Sequence, residues 1–289
     1  MKAKTIEKIL RGQFYNFVKS IKDDNVKLLV SKNSIISGGA IVSLILDEKV
    51  NDFDIYFTDK ATVLAVMHYY KNLLKKDNEW ISYAEIKDEG DRVRFFIQSS
   101  GYIKPDTKAK FYPLMITDNA ISLSNSTQLI IRFFGEPDEI HKNYDFVHVK
   151  SYWRSSTGKL YLNPSSLEAI LTKELRYTGS LYPLASIFRL RKFLSRGWTI
   201  SAGDIFKMAF QLRKFDLSKP DVLKDQLIGV DLSYFNELIN RVENDMKKGI
   251  VTDISETYIM SLVDEIFHET DDEYDPMKYK GDNIHEDED

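Results

Sequence analysis

Ser37-Gly38-Gly39-Ala40-Ile41-Val42-Ser43-Leu44-Ile45-Leu46, a short linker, and then Asp52-Phe53-Asp54-Ile55-Tyr56-Phe57 form the stretch that decides how this chain is read. Two adjacent glycines open an apolar helical run, and thirteen positions after Gly39 two carboxylates stand one residue apart at the start of a strand. Successive side chains of an extended chain point to opposite faces. Asp52, Asp54 and Tyr56 therefore share one face, while Phe53, Ile55 and Phe57 share the other and can bury. Two carboxylates held on a strand can bind a pair of divalent ions about 3.5–4 Å apart, the separation used for in-line displacement at phosphorus. Paired glycines leave backbone N–H groups uncovered at a helix N-terminus, where phosphate oxygens bind well.

Working outward, Ile6, Ile9, Leu10, Phe14, Phe17, Val18 and Ile21 recur at helical spacing and predict a first helix with one buried stripe. A strand around 34–37 feeds the glycine turn, and Val63, Val66, Met67, Tyr70, Leu73 and Leu74 predict a helix over 60–75. Arg92–Gln98 and Phe111–Leu123 are read as strands, Ser126–Phe134 as a short helix stopped by Gly135 and Pro137, and Tyr144–Val149 as a strand. A hairpin turning at Ser156-Thr157-Gly158 follows. Asn163 with Pro164 marks a helix start. Beyond it successive helices are expected over roughly 164–177, 182–195, 202–215, 232–247 and 254–268, with Ser201 and Asp204 as an acidic variant of a capping box.

The 289 residues hold 43% apolar and 12% aromatic side chains, enough for a sizeable core. The fold class expected is α+β: a mixed, mostly antiparallel sheet with flanking helices over 1–163, a helical domain over 164–268, and an acidic disordered tail over 269–289. The net charge is −4, and with the tail set aside the body is mildly basic. There is no cysteine, which excludes disulfides, a thiol nucleophile and thiolate zinc sites. No apolar run reaches the ~18 residues a membrane span needs, and no signal peptide is visible. A cytoplasmic protein is expected.

The glycine pair, helix and Asp-x-Asp strand resemble the signature of the polymerase-β-like nucleotidyltransferase superfamily, with a spacing similar to class II CCA-adding enzymes and bacterial poly(A) polymerases. Gly38, Gly39, Leu44, Leu46, Asp52 and Asp54 match. Val42 and Ser43 stand where that motif has Arg-Asp, and no Arg-Arg-Asp or Glu-Asp-x-x-Arg motif follows downstream. The region Glu136–Arg196 is similar to phage-encoded nucleotidyltransferase-like proteins.

The resemblance implies transfer of a nucleoside monophosphate from an NTP to a hydroxyl acceptor, an RNA 3′ end or a transfer RNA, with release of pyrophosphate. A protein is the other acceptor or partner considered. Gly38 and Gly39, with the Ser37 hydroxyl, would hold phosphates, and Asp52 and Asp54 would bind two Mg²⁺. The superfamily carries a third carboxylate, for which Asp145 is the candidate and Glu85, Asp88 and Asp118 are alternatives. Arg189, Lys192 and Arg196 follow i, i+3, i+7 spacing and give one helix a basic ridge. With Lys173 and Arg176 they could contact triphosphate or an RNA backbone. Each feature also has a plain reading: a strand-to-helix turn, an Asx-turn, a solvated charged face. Trp153 and Trp198 are read as core, and the histidines show no metal-ligand spacing. The missing Arg-Asp pair keeps a non-catalytic binding or assembly module, as in a viral particle, as the alternative. A metal-dependent nuclease would use the carboxylates but not the glycines.

Overall fold

Apolar residues at helical spacing build the first layer. In the computed structural model, which describes residues 1–77, 84–90, 92–97, 110–117, 119–226, 241–242, 244–249, 255, 257–258 and 260–261, α1 (Ala3–Ser20) buries Ile6, Leu10, Phe14, Phe17 and Val18. α2 (Asp24–Lys32) follows, its start capped by Asp23, whose carboxylate accepts from the N–H groups of Asn25 and Val26. β1 (Ser34–Ser37) is buried throughout. α3 (Gly39–Leu46) ends at Asp47 in the left-handed region, and β2 (Phe53–Phe57) returns antiparallel to β1 with Ser37 opposite Asp54. α4 (Lys60–Asp77) begins beside Asp59, whose carboxylate accepts from Thr62 N–H at 2.7 Å.

β3 (Ala84–Asp88) and β4 (Val93–Ile97) pair as a separate antiparallel ribbon. β5 (Pro113–Ile116), β6 (Ala120–Leu123) and β7 (Thr127–Phe134) come next, then α5 (Pro137–His141) and a single 3₁₀ turn at Val147–Val149. β8 (Tyr152–Arg154) and β9 (Lys159–Tyr161) form the expected hairpin. The main sheet has seven strands in the order β5-β6-β7-β2-β1-β8-β9. Its neighbours are antiparallel except β2 and β7, which run parallel. The α+β class with a mixed, mostly antiparallel sheet is as the sequence indicated.

Strand alternation sorts the sheet into two faces. Ile36, Ile55, Phe57, Leu129, Ile131 and Trp153 join the large core made with α1, α2, α3 and α4. On the other face Ile35, Tyr56 and Ile140 are buried, with Ile130, Tyr144 and Tyr152 packed against them. Asp54, two residues from Tyr56, belongs to this second face.

After β9, Asn163 Oδ1 accepts from Ser166 N–H at 3.0 Å and starts α6 (Pro164–Thr172), as its sequence predicts. β10 (Glu174–Leu175) pairs in parallel with β11 (Thr199–Ile200), on either side of α7 (Pro183–Leu194). α8 (Ala202–Leu212) is capped by the Ser201 hydroxyl accepting from Asp204 N–H, and α9 (Pro220–Gln226) follows. A third cluster of Val42, Phe146, Ile170, Leu175, Tyr177, Trp198 and Met208 ties α3 to these helices.

Three expectations are corrected. Ser126–Phe134 is not a helix: Thr127, Leu129 and Ile131 are buried at period two, and the segment supplies the parallel partner of β2. Phe111–Leu123 is not one strand but the antiparallel pair β5–β6. Tyr144–Val149 is not a strand; Phe146 makes one isolated bridge to Tyr177 before the 3₁₀ turn. α2, α5 and α9 were not anticipated. The helices expected over 232–247 and 254–268 lie largely, and the acidic tail wholly, outside the described residues.

Candidate functional site

Gly38 joins β1 to α3 with φ +94°, a conformation that a side chain makes costly. A Cβ there would lie 3.2 Å from Asp54 Oδ2 and 4.0 Å from the Tyr144 hydroxyl. The bare Cα thus lets the Asp54 carboxylate lie against the corner where the helix starts. The N-cap residue Gly38 has no side chain to cap α3, and the first backbone N–H groups carry the partial positive charge of a helix start. Asp52, just before β2, is exposed and Asp54 is half-buried. Bare backbone amides and the Asp54 carboxylate meet at one end of the central strands β1 and β2, with Asp52 two residues before Asp54.

Ser37 is fully buried. Its hydroxyl donates to the Ser151 carbonyl at 2.9 Å and lies 3.0 Å from His141 Nε2. With the hydroxyl proton committed to Ser151, His141 must donate through Nε2–H, which fixes a neutral tautomer. Burial, reinforced by Lys150, pushes the His141 pKa down to about 4, in keeping with that neutral ring. The Ser37 hydroxyl, expected to help hold phosphates, here fastens α5 to β1.

Tyr56 and Tyr144 line the floor beside Asp54, their rings 6.0 Å apart. The Tyr144 hydroxyl is buried, close to the hydroxyls of Ser37 and Tyr56. Burial, then the neighbouring Tyr144 and Asp54, push the Tyr56 phenol well above its ordinary range, while Arg189 opposes the shift. Burial also raises Tyr144, with Asp54 and Asp145 adding to the effect. Both phenols are protonated donors near neutral pH.

Asp145 is buried and ion-paired with Arg189 of α7. Its carboxylate is thus neutralised by a guanidinium, and among the described residues no three His, Asp or Glu side chains are grouped so as to hold a metal ion. Of the alternatives, Glu85 and Asp88 sit on the separate ribbon, where Asp88 pairs with Lys60 at 2.5 Å. Asp118 lies outside the described residues. The acidic donors present at the glycine corner are Asp52 and Asp54. Two carboxylates suit Mg²⁺, which keeps waters and takes further oxygens from substrate phosphates.

The basic ridge divides. Arg189 reaches Asp145, whereas Lys192 and Arg196 are exposed. Arg196 lies past the end of α7, its carbonyl 3.5 Å from Lys173 Nζ. Arg176 makes two 2.9 Å bonds to Glu168 and one of 3.0 Å to Glu174. Trp153 and Trp198 are core residues, 1% and 4% exposed. Strand alternation placed Tyr56 on the face of Asp54, but sequence reasoning missed Tyr144 and His141 as parts of the floor. It also missed His148, which is buried with neither ring nitrogen hydrogen-bonded, its ring centroid 4.6 Å from Phe193 and 4.7 Å from Trp198. Tyr144 and His148 had one signal, their closeness to Asp145.

Residues 8–173 match the family model described as "Gabija anti-defense 2 family protein". A curated relative, "Gabija anti-defense 2" of Bacillus phage SPbetaL7, is 20% identical over 285 residues, covering 86% of this chain and 63% of its own length. Among solved structures, the chain is similar to the Thermotoga maritima CCA-adding enzyme complexed with tRNA (12% identity, TM-score 0.40, covering 74% of this chain and 48% of that one). It is also similar to the Bacillus stearothermophilus CCA-adding enzyme in complex with CTP (13% identity, TM-score 0.40, covering 79% and 51%). The chain spans about half the length of these enzymes and under two thirds of the phage relative. Among the described residues, no helix is long and apolar enough to cross a membrane.

Proposed function

The chain belongs to the Gabija anti-defense 2 family, and from that premise we propose that it counters a defence system by Mg²⁺-dependent transfer of a nucleoside monophosphate from an NTP to a hydroxyl acceptor, an RNA 3′ end or a transfer RNA. The observation that carries this reading is the Gly38 corner: a positive-φ glycine at a helix start, with Asp54 Oδ2 3.2 Å from where its Cβ would stand. Backbone N–H groups at Gly38 and Gly39 bind the β- and γ-phosphates. Asp52 and Asp54 would hold two Mg²⁺, which when bound stabilise the charge that develops on the phosphates. Arg189 adds positive charge beside Tyr56, and Asp145 keeps its guanidinium in place. Lys192, Arg196 and the Lys173 and Arg176 edge offer cations to an RNA backbone.

In the transfer, the acceptor oxygen forms a bond to the α-phosphorus and the bond to the bridging oxygen breaks. Pyrophosphate leaves with that electron pair, and the acceptor's proton passes to water. The Asp145–Arg189 pair favours a second reading, nucleotide binding without transfer, because a carboxylate neutralised by arginine is a poor third metal ligand. Incubation with each labelled NTP, Mg²⁺ and total RNA separates the two. Label in RNA that disappears with Asp52→Ala and Asp54→Ala supports transfer. Mg²⁺-dependent NTP binding with unlabelled RNA supports the binder, and neither result leaves the fold as scaffolding.

A further inference from the structure

At the other end of β2 from the glycine corner, a cavity of about 730 Å³ opens where the ends of β2 and β7, the start of α4 and the β3–β4 turn meet. Five residues of strand separate the two ends, roughly 13 Å. The volume falls within the range of about 300–1,000 Å³ typical of small-molecule sites.

Three cations line the cavity, Lys60, Arg92 and Arg132, against two carboxylates, Asp59 and Glu139. Both carboxylates already serve helix starts. Asp59 accepts from the N–H and hydroxyl of Thr62 at α4, and Glu139 accepts from Glu136 N–H at α5. Lys60 is held by Asp88 at 2.5 Å and by the Gly90 carbonyl at 2.9 Å. Arg132 differs. No carboxylate pairs with it among the described residues; its one polar contact is the Tyr182 hydroxyl at 3.3 Å, and its Nε is buried without a partner. Its guanidinium stands 5.4 Å from the Phe133 ring centroid. An arginine does not shed its proton, and a partly desolvated cation gains most from an anion that also satisfies its N–H groups. The guanidinium fork matches phosphate oxygens in pairs.

We propose that this cavity binds the phosphate group of a small phosphorylated molecule of nucleotide size, with Arg132 as its anchor and Lys60 and Arg92 supplying the surrounding field. The site lies apart from Gly38, Asp52 and Asp54 and does not depend on what those residues do.

Titration calorimetry with inorganic pyrophosphate, in chelator so that no divalent ion bridges it to Asp52 and Asp54, tests the assignment. The unaltered protein is expected to give saturable binding that Arg132→Gln weakens at least tenfold. Mass spectrometry of the unaltered protein provides a test that needs no variant: pyrophosphate should protect Arg132 from phenylglyoxal. Absence of saturable binding, binding that survives Arg132→Gln, or no protection of Arg132 would each overturn the proposal. So would transfer RNA binding that depends on Arg132 without pyrophosphate binding, which would assign the cavity to a nucleic-acid backbone.

Discussion

The two ends of β2 approach phosphate chemistry from opposite directions. At the Asp54 end the chain removes side chains: two glycines bare the start of α3, and the charges that remain are carboxylates, suited to hold a cation between themselves and a polyphosphate. At the Thr58 end it gathers basic side chains around a cavity and uses the nearby carboxylates as helix caps. One end needs metal to receive an anion, and the other carries its own cations. A single short strand can present both because the pairing with its parallel neighbour β7 shifts register between Ile55↔Leu129 and Phe57↔Phe134, and Arg132 stands in that irregular stretch toward the Thr58 end.

The sharpest way to break this contrast is at the acidic end. Asp54→Asn keeps the shape and removes the charge, and nucleotidyl transfer is expected to fall by about 100-fold or more, the scale on which electrostatic groups act in such sites. Radiolabel incorporation measures it; transfer within a few-fold of the parent would mean that Asp54 holds no metal. Arg189→Met probes the floor beneath. It removes the cation paired with the buried Asp145 carboxylate, and about 3 kcal/mol of unfolding free energy should be lost. Urea denaturation reads this, and Arg189→Met combined with Asp145→Asn should recover part of it.

His148 gives a smaller effect with a defined sign. Burial pushes its pKa from 6.5 down to about 4, so between those values the unfolded chain binds a proton that the folded chain refuses. Stability from this group is complete above pH 6.5 and declines as the pH falls toward 4. About 2 kcal/mol is lost on moving from pH 7 to pH 5. His141, also pushed down to about 4, adds a slope of the same sign, so His148→Phe should remove about half of it in urea melts at the two pH values; an unchanged slope would mean that His148 does not contribute. At the basic end, Asp59→Ala removes the α4 cap and should cost about 1 kcal/mol by the same assay.

Much of the acidic end was legible in the sequence. Glycine torsions, strand alternation and the helix between them are local, and β1, α3 and β2 stand where the residues 34–57 indicated. The caps at Asn163 and Ser201 were local too. What escaped depended on tertiary partners. Thr127–Phe134 mixes β-branched and aromatic residues in a pattern that a short helix also fits, and only its pairing with β2 decides for strand. That misreading hid Arg132 and with it the cavity. Asp145 was singled out as an acidic residue near aromatics, but its tie to Arg189, 44 positions away, is a product of the fold. Ser37 looked available next to the glycines because nothing in the sequence brings His141 and Ser151 against it.

The central claim is that the Gly38 corner and the Asp52–Asp54 pair together grip a magnesium-charged nucleotide, and calorimetric titration of the full chain with each ribonucleoside triphosphate tests it most directly. At least one triphosphate should bind saturably with Mg²⁺, and that Mg²⁺-dependent binding should disappear in chelator and in the Asp52→Asn, Asp54→Asn double variant. Binding that is indifferent to Mg²⁺ and to both aspartates, or no heat from any triphosphate, would contradict the account.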